Sequence, residues 1–439
     1  MGIIDTNTEK MKMKIVYLLS AAIIITIVTA GTLLAGSKAD PVIAKNEVIL
    51  QKGPGEYMEV RHIVLKGSNE EIGRALADIA QKDYKASLVK YASPIYAKAR
   101  LEYMKRNYPI LLERMKGVAR SYGLSLDDTD LDTSSLYYCM PAPKCSAAFF
   151  PARISANKHN FYVLNRDYYL ASMSEIMDAK RLPGEGDFLS RMFVIEMYPD
   201  KGYPSIAIGA LDLLNMHVDA VNSKGLSVAM LEDDTYGMER IMKDLSRQSG
   251  LNMSQAIRLI VDTCATVEEA KEAILNNKIS VTLLPTHFMV MDSSGRSFIY
   301  ERSSKDFSDR FLDNDGLPQL ITNHSVCDYP TVDKFPKAPE DEYDTFNRYR
   351  RLDEYVRGHV GKYSIEDGKH AMSLVYGCVN EATEGGYHAL PLRTLYTAVV
   401  DIDERAISVK FYLRDGKIDP ATGVPELVFS KPFEFKLKE

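Results

Sequence analysis

From Glu70 to Ala86 the run EEIGRALADIAQKDYKA sets Ile72, Leu76 and Ile79 on one face at helical spacing. This predicts a helix, and Ser68 with Glu71 makes the box that caps its start. A second helical run, YPILLERMKGVARSYG, closes at Gly123, a residue suited to the left-handed turn that ends helices. After Cys145 the texture changes to short strand-like runs, AAFFPARI, FYVLNRDYY and RMFVIEMY, with SANKHN as turn material between the first two. GLSVAML, THFMVMD, SFIYE, LYTAVVDI and AISVKFYL continue the strand pattern, and VNSKGL, with Asn222 and Gly225, predicts a two-strand turn. Helices are expected over SQAIRLIVDTCATVEEAKEAIL and FNRYRRLDEYVRG. Strand runs interrupted by helices predict an α+β fold. No internal repeat is evident, and the acidic stretch KFPKAPEDEYD reads as an exposed connection.

The N-terminus has a different pattern. Lys10, Lys12 and Lys14 precede an uncharged stretch from Ile15 to Gly36, which as a helix would reach ~33 Å, enough to cross a hydrocarbon core. Residues 15–36 are therefore expected to be a transmembrane anchor or a signal peptide. The positive flank makes 1–14 a cytoplasmic tail and puts everything after Ser37 on the extracytoplasmic side. The small residues from Ala35 to Ala39 offer a cleavage site, so an anchored and a secreted protein are both open.

Composition narrows the chemistry. Hydrophobic residues at 46% and charged residues at 26% of 439 describe an ordinary folded domain. A net charge of -6, with no Lys/Arg run interleaved with aromatics, excludes a nucleic-acid partner. Five scattered cysteines without a CxxC pair, and eight histidines without an HExxH pair, predict neither a metal nor a cofactor.

The stretch PAPKCSAAFFPARISANKHNFYVLNRDYY carries the most information. It puts Cys145 at the head of a strand, and a hairpin brings Asn165 and Asp167 back alongside it. If the Lys144–Cys145 bond is broken, the new α-amino group, with a reference pKa of ~7.7, can take the thiol proton and return it to a leaving amine. Residues 37–144 would then be a helical pro-region, and 145–439 the catalytic domain.

With LKGSNEEIGRALADIA, LLERMKGVARSYGLSLDD and the KCSAAF junction on the page, the chain resembles the penicillin acyltransferase-like family of N-terminal-nucleophile hydrolases, related to choloylglycine hydrolases and acid ceramidase. The likeness continues through DAVNSKGLSVAM, THFMVMDSSGRSFIYE, LITNH, DTFNRYRRL and TLYTAVVDI. It implies a sandwich of two antiparallel sheets between helical layers (αββα). It also implies an enzyme that hydrolyses a linear N-acyl amide, or transfers its acyl group, through a thioester on Cys145. By the resemblance Asp167 holds the α-amino group and orients the thiol, Asn323 donates to the oxyanion, and Arg348 braces the site.

Two positions depart from the pattern. Leu164 stands where choloylglycine hydrolases and ceramidases carry arginine, and Arg166 is not given that role, because neighbours on a strand point to opposite faces. Glu232 stands where a second asparagine is usual. An ionised carboxylate cannot donate to an oxyanion, so its backbone N–H serves, or the carboxylate binds a substrate amine. Asn165 is a further candidate contact to oxyanion or substrate. Simpler readings compete: Asp167 caps a turn, Asn323 stabilises a loop, and Arg348 joins Arg350 and Arg351 in a solvated basic face. So do three other functions: a bile-salt or N-acyl-amino-acid hydrolase, a protease pairing Cys145 with His287, and a catalytically silent, membrane-anchored binding protein.

Overall fold

The structure, a computed structural model, describes residues 42–138, 144–176, 179–235, 250–280, 285–314, 316–336, 344–382 and 390–438. The expected tail at 1–14 and apolar segment at 15–36 lie outside the described residues. Among the described residues no helix is long and apolar enough to cross a membrane.

Two strands come first, β1 (Val42–Leu50) and β2 (Glu59–Gly67), then helices α1 (Asn69–Ile79), α2 (Pro94–Asn107) and α3 (Pro109–Ser121). Strands β3 (Lys144–Phe150), β4 (Phe161–Tyr169), β5 (Arg191–Pro199), β6 (Ser205–Gly209), β7 (His217–Asn222) and β8 (Leu226–Glu232) follow. Helices α4 (Met253–Thr263) and α5 (Val267–Leu275) lead to β9 (Thr286–Asp292), β10 (Ser297–Arg302), β11 (Asp309–Asp313) and β12 (Gln319–Ile321). Helices α6 (Thr345–Gly358) and α7 (Ile365–Ser373) precede β13 (Cys378–Ala382), β14 (Leu390–Asp401), β15 (Ala406–Ile418), β16 (Pro425–Phe429) and β17 (Phe433–Lys436).

One sheet runs β1-β2-β5-β6-β7-β8-β9-β10-β11 and the other β12-β3-β4-β14-β15-β16, with β13 on β14 and β17 on β15. The sheets face each other: Tyr162 of β4 donates to the Val228 carbonyl of β8. Helices α1 and α4 cover the first sheet at β2 and β7, and α6 and α7 cover the second at β12, β3 and β4. Both faces of β3 and β4 are thus buried, the polar Lys144, Ser146, Asn165, Arg166 and Asp167 included. Cys145, Ala147, Phe149, Tyr162 and Leu164 join the core between the sheets, whereas Ala148, Phe150, Phe161 and Val163 pack under α6 and α7.

Several local expectations hold. Ser68 and Glu71 form the capping box of α1, Gly123 follows α3 at φ +69°, and Gly225 turns β7 into β8 at φ +76°. The long helix expected after Met253 is two helices, because Cys264 leaves helical geometry and Thr266 caps a new start.

The upstream segment is a correction. It is not solely helical, and it is not a separate unit. Strand β2 pairs with β5 in parallel over nine residues, from Glu59 opposite Arg191 to Gly67 opposite Pro199, placing β1 and β2 in the main sheet. Helices α1 and α3 cross so closely that a Cβ on Gly73 would lie 2.1 Å from the Arg114 carbonyl oxygen, and one on Gly117 1.9 Å from that of Glu70. From that crossing Arg114 reaches Asp262 of α4 with two bonds of 2.6 and 3.0 Å, and Asn69 with a third of 3.0 Å. Burial alone would raise the Asp262 carboxyl, but Arg114 and Arg258 hold it well below the usual carboxylate range.

Candidate active site

Cys145 is the second residue of β3, a strand with a neighbour on each side. On one side it lies opposite Arg166 of β4. On the other, β12 runs antiparallel with Ile321 opposite Ala147, so continuing two residues carries the chain to Asn323 beside Cys145. Asn323 Oδ1 accepts the Cys145 N–H at 2.9 Å, and its Nδ2 donates to the Glu232 carbonyl at 2.9 Å. From α6, Arg348 donates to the Cys145 carbonyl at 2.6 Å, to Ser146 Oγ at 2.9 Å and to Asn323 Oδ1 at 2.8 Å. Arg348 is buried, and so sets itself apart from the basic face that its neighbours suggested.

The thiol points between the sheets, where Arg166 Nη1 donates to Sγ at 2.7 Å. The same nitrogen reaches the Met230 carbonyl at 2.6 Å, Nη2 pairs with Asp219 Oδ2 at 2.9 Å, and Nε reaches Tyr396 Oη at 3.2 Å. Tyr396 in turn donates to Asp219. This corrects the expectation that strand alternation turns Arg166 away. Residues 164 and 166 are two apart and share the inward face, so an arginine at either can meet the sulfur. Arg166 was in view in the sequence, but Asp219 and Tyr396 were not. Their signal was polarity inside the buried runs HVDAVN and LYTAVV. A bulge opposite Gly209 lets His217 face α4, where Arg258 meets it at 2.9 Å, while Asp219 faces inward.

Alternation places the other candidates. Asn165 faces α7 and donates to the Met372 carbonyl at 2.8 Å, so it does not share the thiol's face, which corrects its assignment as an oxyanion or substrate contact. Asp167 lies opposite Lys144 in the ladder, and its carboxylate accepts from Thr394. The contact to the sulfur is Arg166's. Lys144 is buried, with Nζ 3.2 Å from Asp234 Oδ2.

Burial pushes the Cys145 thiol up to about 12; Arg166 draws it down, while Asp167, Asp219 and Glu232 push it further up. The thiol is therefore closed off and protonated at neutral pH. His287 does not serve it: its Nδ1 meets Glu301 Oε1 at 3.2 Å and its Nε2 the Thr322 carbonyl at 2.7 Å. Both partners are acceptors, which calls for a proton on each ring nitrogen. Burial would lower the His287 pKa, but the Glu301 hydrogen bond and the charges of Asp233 and Glu301 raise it overall. Glu301 also accepts from Ser325, Val326 and Cys327, so the pair pins the turn that carries Asn323. Among the described residues no cluster of His, Cys, Asp and Glu is arranged to hold a metal.

The model of the linear amide C–N hydrolases, choloylglycine hydrolase family, matches residues 180–313, which include β5 to β11 with Asp219 and Glu232. The chain's resemblance is to the linear amide C–N hydrolases. The match begins after Cys145, whose place therefore rests on the geometry above. Similar solved structures include a mutant conjugated bile acid hydrolase from Clostridium perfringens, 14% identical over 67% of this chain and 97% of that one, with a TM-score of 0.42. Penicillin V acylase from Agrobacterium tumefaciens is 14% identical over 65% and 86%, TM-score 0.40. The Caenorhabditis elegans ortholog of N-acylethanolamine-hydrolyzing acid amidase is 11% identical over 59% and 93%, TM-score 0.38. A comparison of the sequence with curated proteins gives no match.

Proposed function

We propose that the chain breaks its own Lys144–Cys145 bond and then uses Cys145 to cleave a linear, non-peptide N-acyl amide. One observation carries the reading: a single cysteine has its N–H, its carbonyl and its sulfur each held by a different buried side chain, Asn323, Arg348 and Arg166. Such a grip fixes the reacting atoms before reaction, which is where catalytic sites gain most.

In the first step Sγ attacks the Lys144 carbonyl carbon, the peptide C–N bond breaks as the thiol proton passes to the Cys145 nitrogen, and a thioester joins Lys144 to the sulfur. Water hydrolyses it, releasing the Lys144 carboxylate, the thiol and the α-amino group of Cys145. That amine stays beside Asn323 Oδ1, and Asp167, across the ladder from the position that Lys144 leaves, is assigned its positive charge. In turnover the amine takes the thiol proton, Sγ bonds to the substrate carbonyl, and the C–N bond breaks as the proton passes to the leaving amine. An amide nitrogen carries two donors; one of Asn323's is on Glu232, and we assign the second to the oxyanion. Water completes hydrolysis, and a second amine would complete acyl transfer.

A conjugated bile-salt or N-acyl-amino-acid hydrolase is the second reading. Leu164 argued against it, and Arg166 on the sulfur removes that objection.

Intact-mass analysis tests the proposal. Self-cleavage gives a chain running from Cys145 to Glu439, absent in Cys145→Ala. Protein that remains whole and cleaves no acyl amide refutes it.

A further inference from the structure

The Arg166 guanidinium sits between two groups that can take its charge. Nη1 donates to Cys145 Sγ at 2.7 Å, and Nη2 donates to Asp219 Oδ2 at 2.9 Å. All three side chains are buried, and Tyr396, buried with them, donates its hydroxyl to the same Asp219 oxygen. The Tyr396 ring also lies 5.8 Å from the guanidinium carbon. Asp219 Oδ1 is buried with no hydrogen-bond partner among the described residues. The carboxylate thus meets both of its donors through the one oxygen that is turned to Arg166.

A guanidinium buried beside a neutral thiol needs an anion, because an uncompensated charge in the interior is costly. Asp219 is the carboxylate bonded to it, and the pair is neutral. Removing the thiol proton would put a second anion on one cation, and in a poorly screened interior the first anion opposes the second. Burial pushes the Asp219 carboxyl up, while Arg166 and Tyr396 hold it down. The other charges that bear on the sulfur, Asp167 of β4 and Glu232 at the end of β8, are acidic as well. Tyr162, also on the inner face of β4, gives its hydroxyl to the Val228 carbonyl. On the α4 side of β7, Arg258 bonds His217 and Asp262.

With Cys145 as the nucleophile, as in the function given above, we propose that Asp219 sets when it reacts: as the counter-ion of Arg166 it keeps the sulfur a thiol until a base reaches it. Latency then rests on a named charge and not on burial alone. Asp219 is a positioning residue that acts through Arg166.

Asp219→Asn tests this, because one amide oxygen can accept both bonds that Oδ2 accepts, while the NH2 takes the place of Oδ1 and the charge is gone. Iodoacetamide alkylation is followed by digestion and mass from about pH 8 to 10, comparing uncut chain with uncut or cut with cut. Loss of the charge should lower the thiol by at least about one pKa unit, a tenfold gain in thiolate. After the weaker nucleophilicity of a less basic sulfur, at least about threefold remains in rate at each pH. Cys264, buried at the end of α4 and pushed up to about 11 by burial, is the internal reference. A general loosening would speed both cysteines, and loss of one charge speeds Cys145 alone. Were Asp219 needed only to aim Arg166, its loss would free the guanidinium from the sulfur and slow the reaction. A Cys145 rate that gains less than expected, falls, or rises in step with Cys264 overturns the inference. If Asp219→Asn does not fold, Asp219→Ser, whose hydroxyl still offers Arg166 an uncharged acceptor, is read in the same way. The readout needs a titrating thiol and not a cut chain. Protein that never releases a chain starting at Cys145 therefore overturns the mechanism by intact mass, and the alkylation rates decide the role of Asp219 separately.

Discussion

In the uncut protein, alkylation of Cys145 should be slow in a way that can be calculated. Its thiol sits at about 12, raised mainly by burial. At pH 8 the thiolate is then roughly one part in ten thousand, against about a quarter for a free cysteine near 8.5. A more basic thiolate is also more nucleophilic, with a Brønsted slope of about 0.45, which returns roughly one and a half orders of magnitude. The net expectation is a rate roughly two orders below that of an exposed cysteine, before steric closure of a side chain only 1% exposed. Iodoacetamide time courses, quenched and digested, would report Cys145 occupancy separately in the uncut and cut species after they are resolved by mass. The uncut rate should rise about tenfold per pH unit from 8 to 10, and cleavage should speed alkylation by bringing an amine of pKa ~7.7 to the sulfur. Uncut protein that is alkylated as fast as glutathione, or a rate that does not change on cleavage, would refute the view of a thiol kept latent by burial.

Other perturbations probe the frame around it. Arg166→Met removes the cation that draws the Cys145 pKa down, so alkylation and self-cleavage should slow together by at least about tenfold, a loss of one pKa unit, with Arg166→Lys intermediate; unchanged rates would sink the assignment. Arg114→Met breaks a pair that is fully buried on both sides and should cost ~3–5 kcal/mol in denaturant unfolding, while the two pieces of the cut wild-type chain should co-elute in size exclusion, held by β2 on β5. A loss under ~1 kcal/mol, or separation of the pieces, would contradict the integrated upstream segment. Because the His287 pKa is raised in the folded state, its contribution to stability is complete below its unfolded value of ~6.5 and is lost as pH climbs through the higher folded value. Melting temperature should therefore fall as pH rises from ~6.5 through the raised folded value, and His287→Gln should flatten the fall; an identical pH profile in the variant would remove the imidazolium.

What was legible in the sequence follows from how local each signal is. The capping box at Ser68 and Glu71, the left-handed Gly123 and the turn at Gly225 each depend on a few neighbouring residues, and each stands as read. Strand Phe161–Tyr169 was readable from its aromatic and β-branched ends, although Asn165, Arg166 and Asp167 interrupt the apolar run. The break at Cys264 was missed because apolar periodicity continues across it, and only Thr266 announces a new helix.

By itself the sequence determined most of the strands and helices after Cys145 and which cysteine heads an inner strand, since these depend on local pattern; Asn323 and Arg348 came from the family resemblance that motif order carries, and strands β1 and β2 went unread. Tertiary structure decided which faces meet. The register of β3 on β4 turned Arg166 to the sulfur and Asn165 away from it, and a bulge in β7 aimed Asp219 across the gap between sheets. Parallel pairing of β2 with β5 made the upstream segment part of the body. Each of these is a contact between residues far apart in the chain, set by register and packing, and no local pattern encodes it.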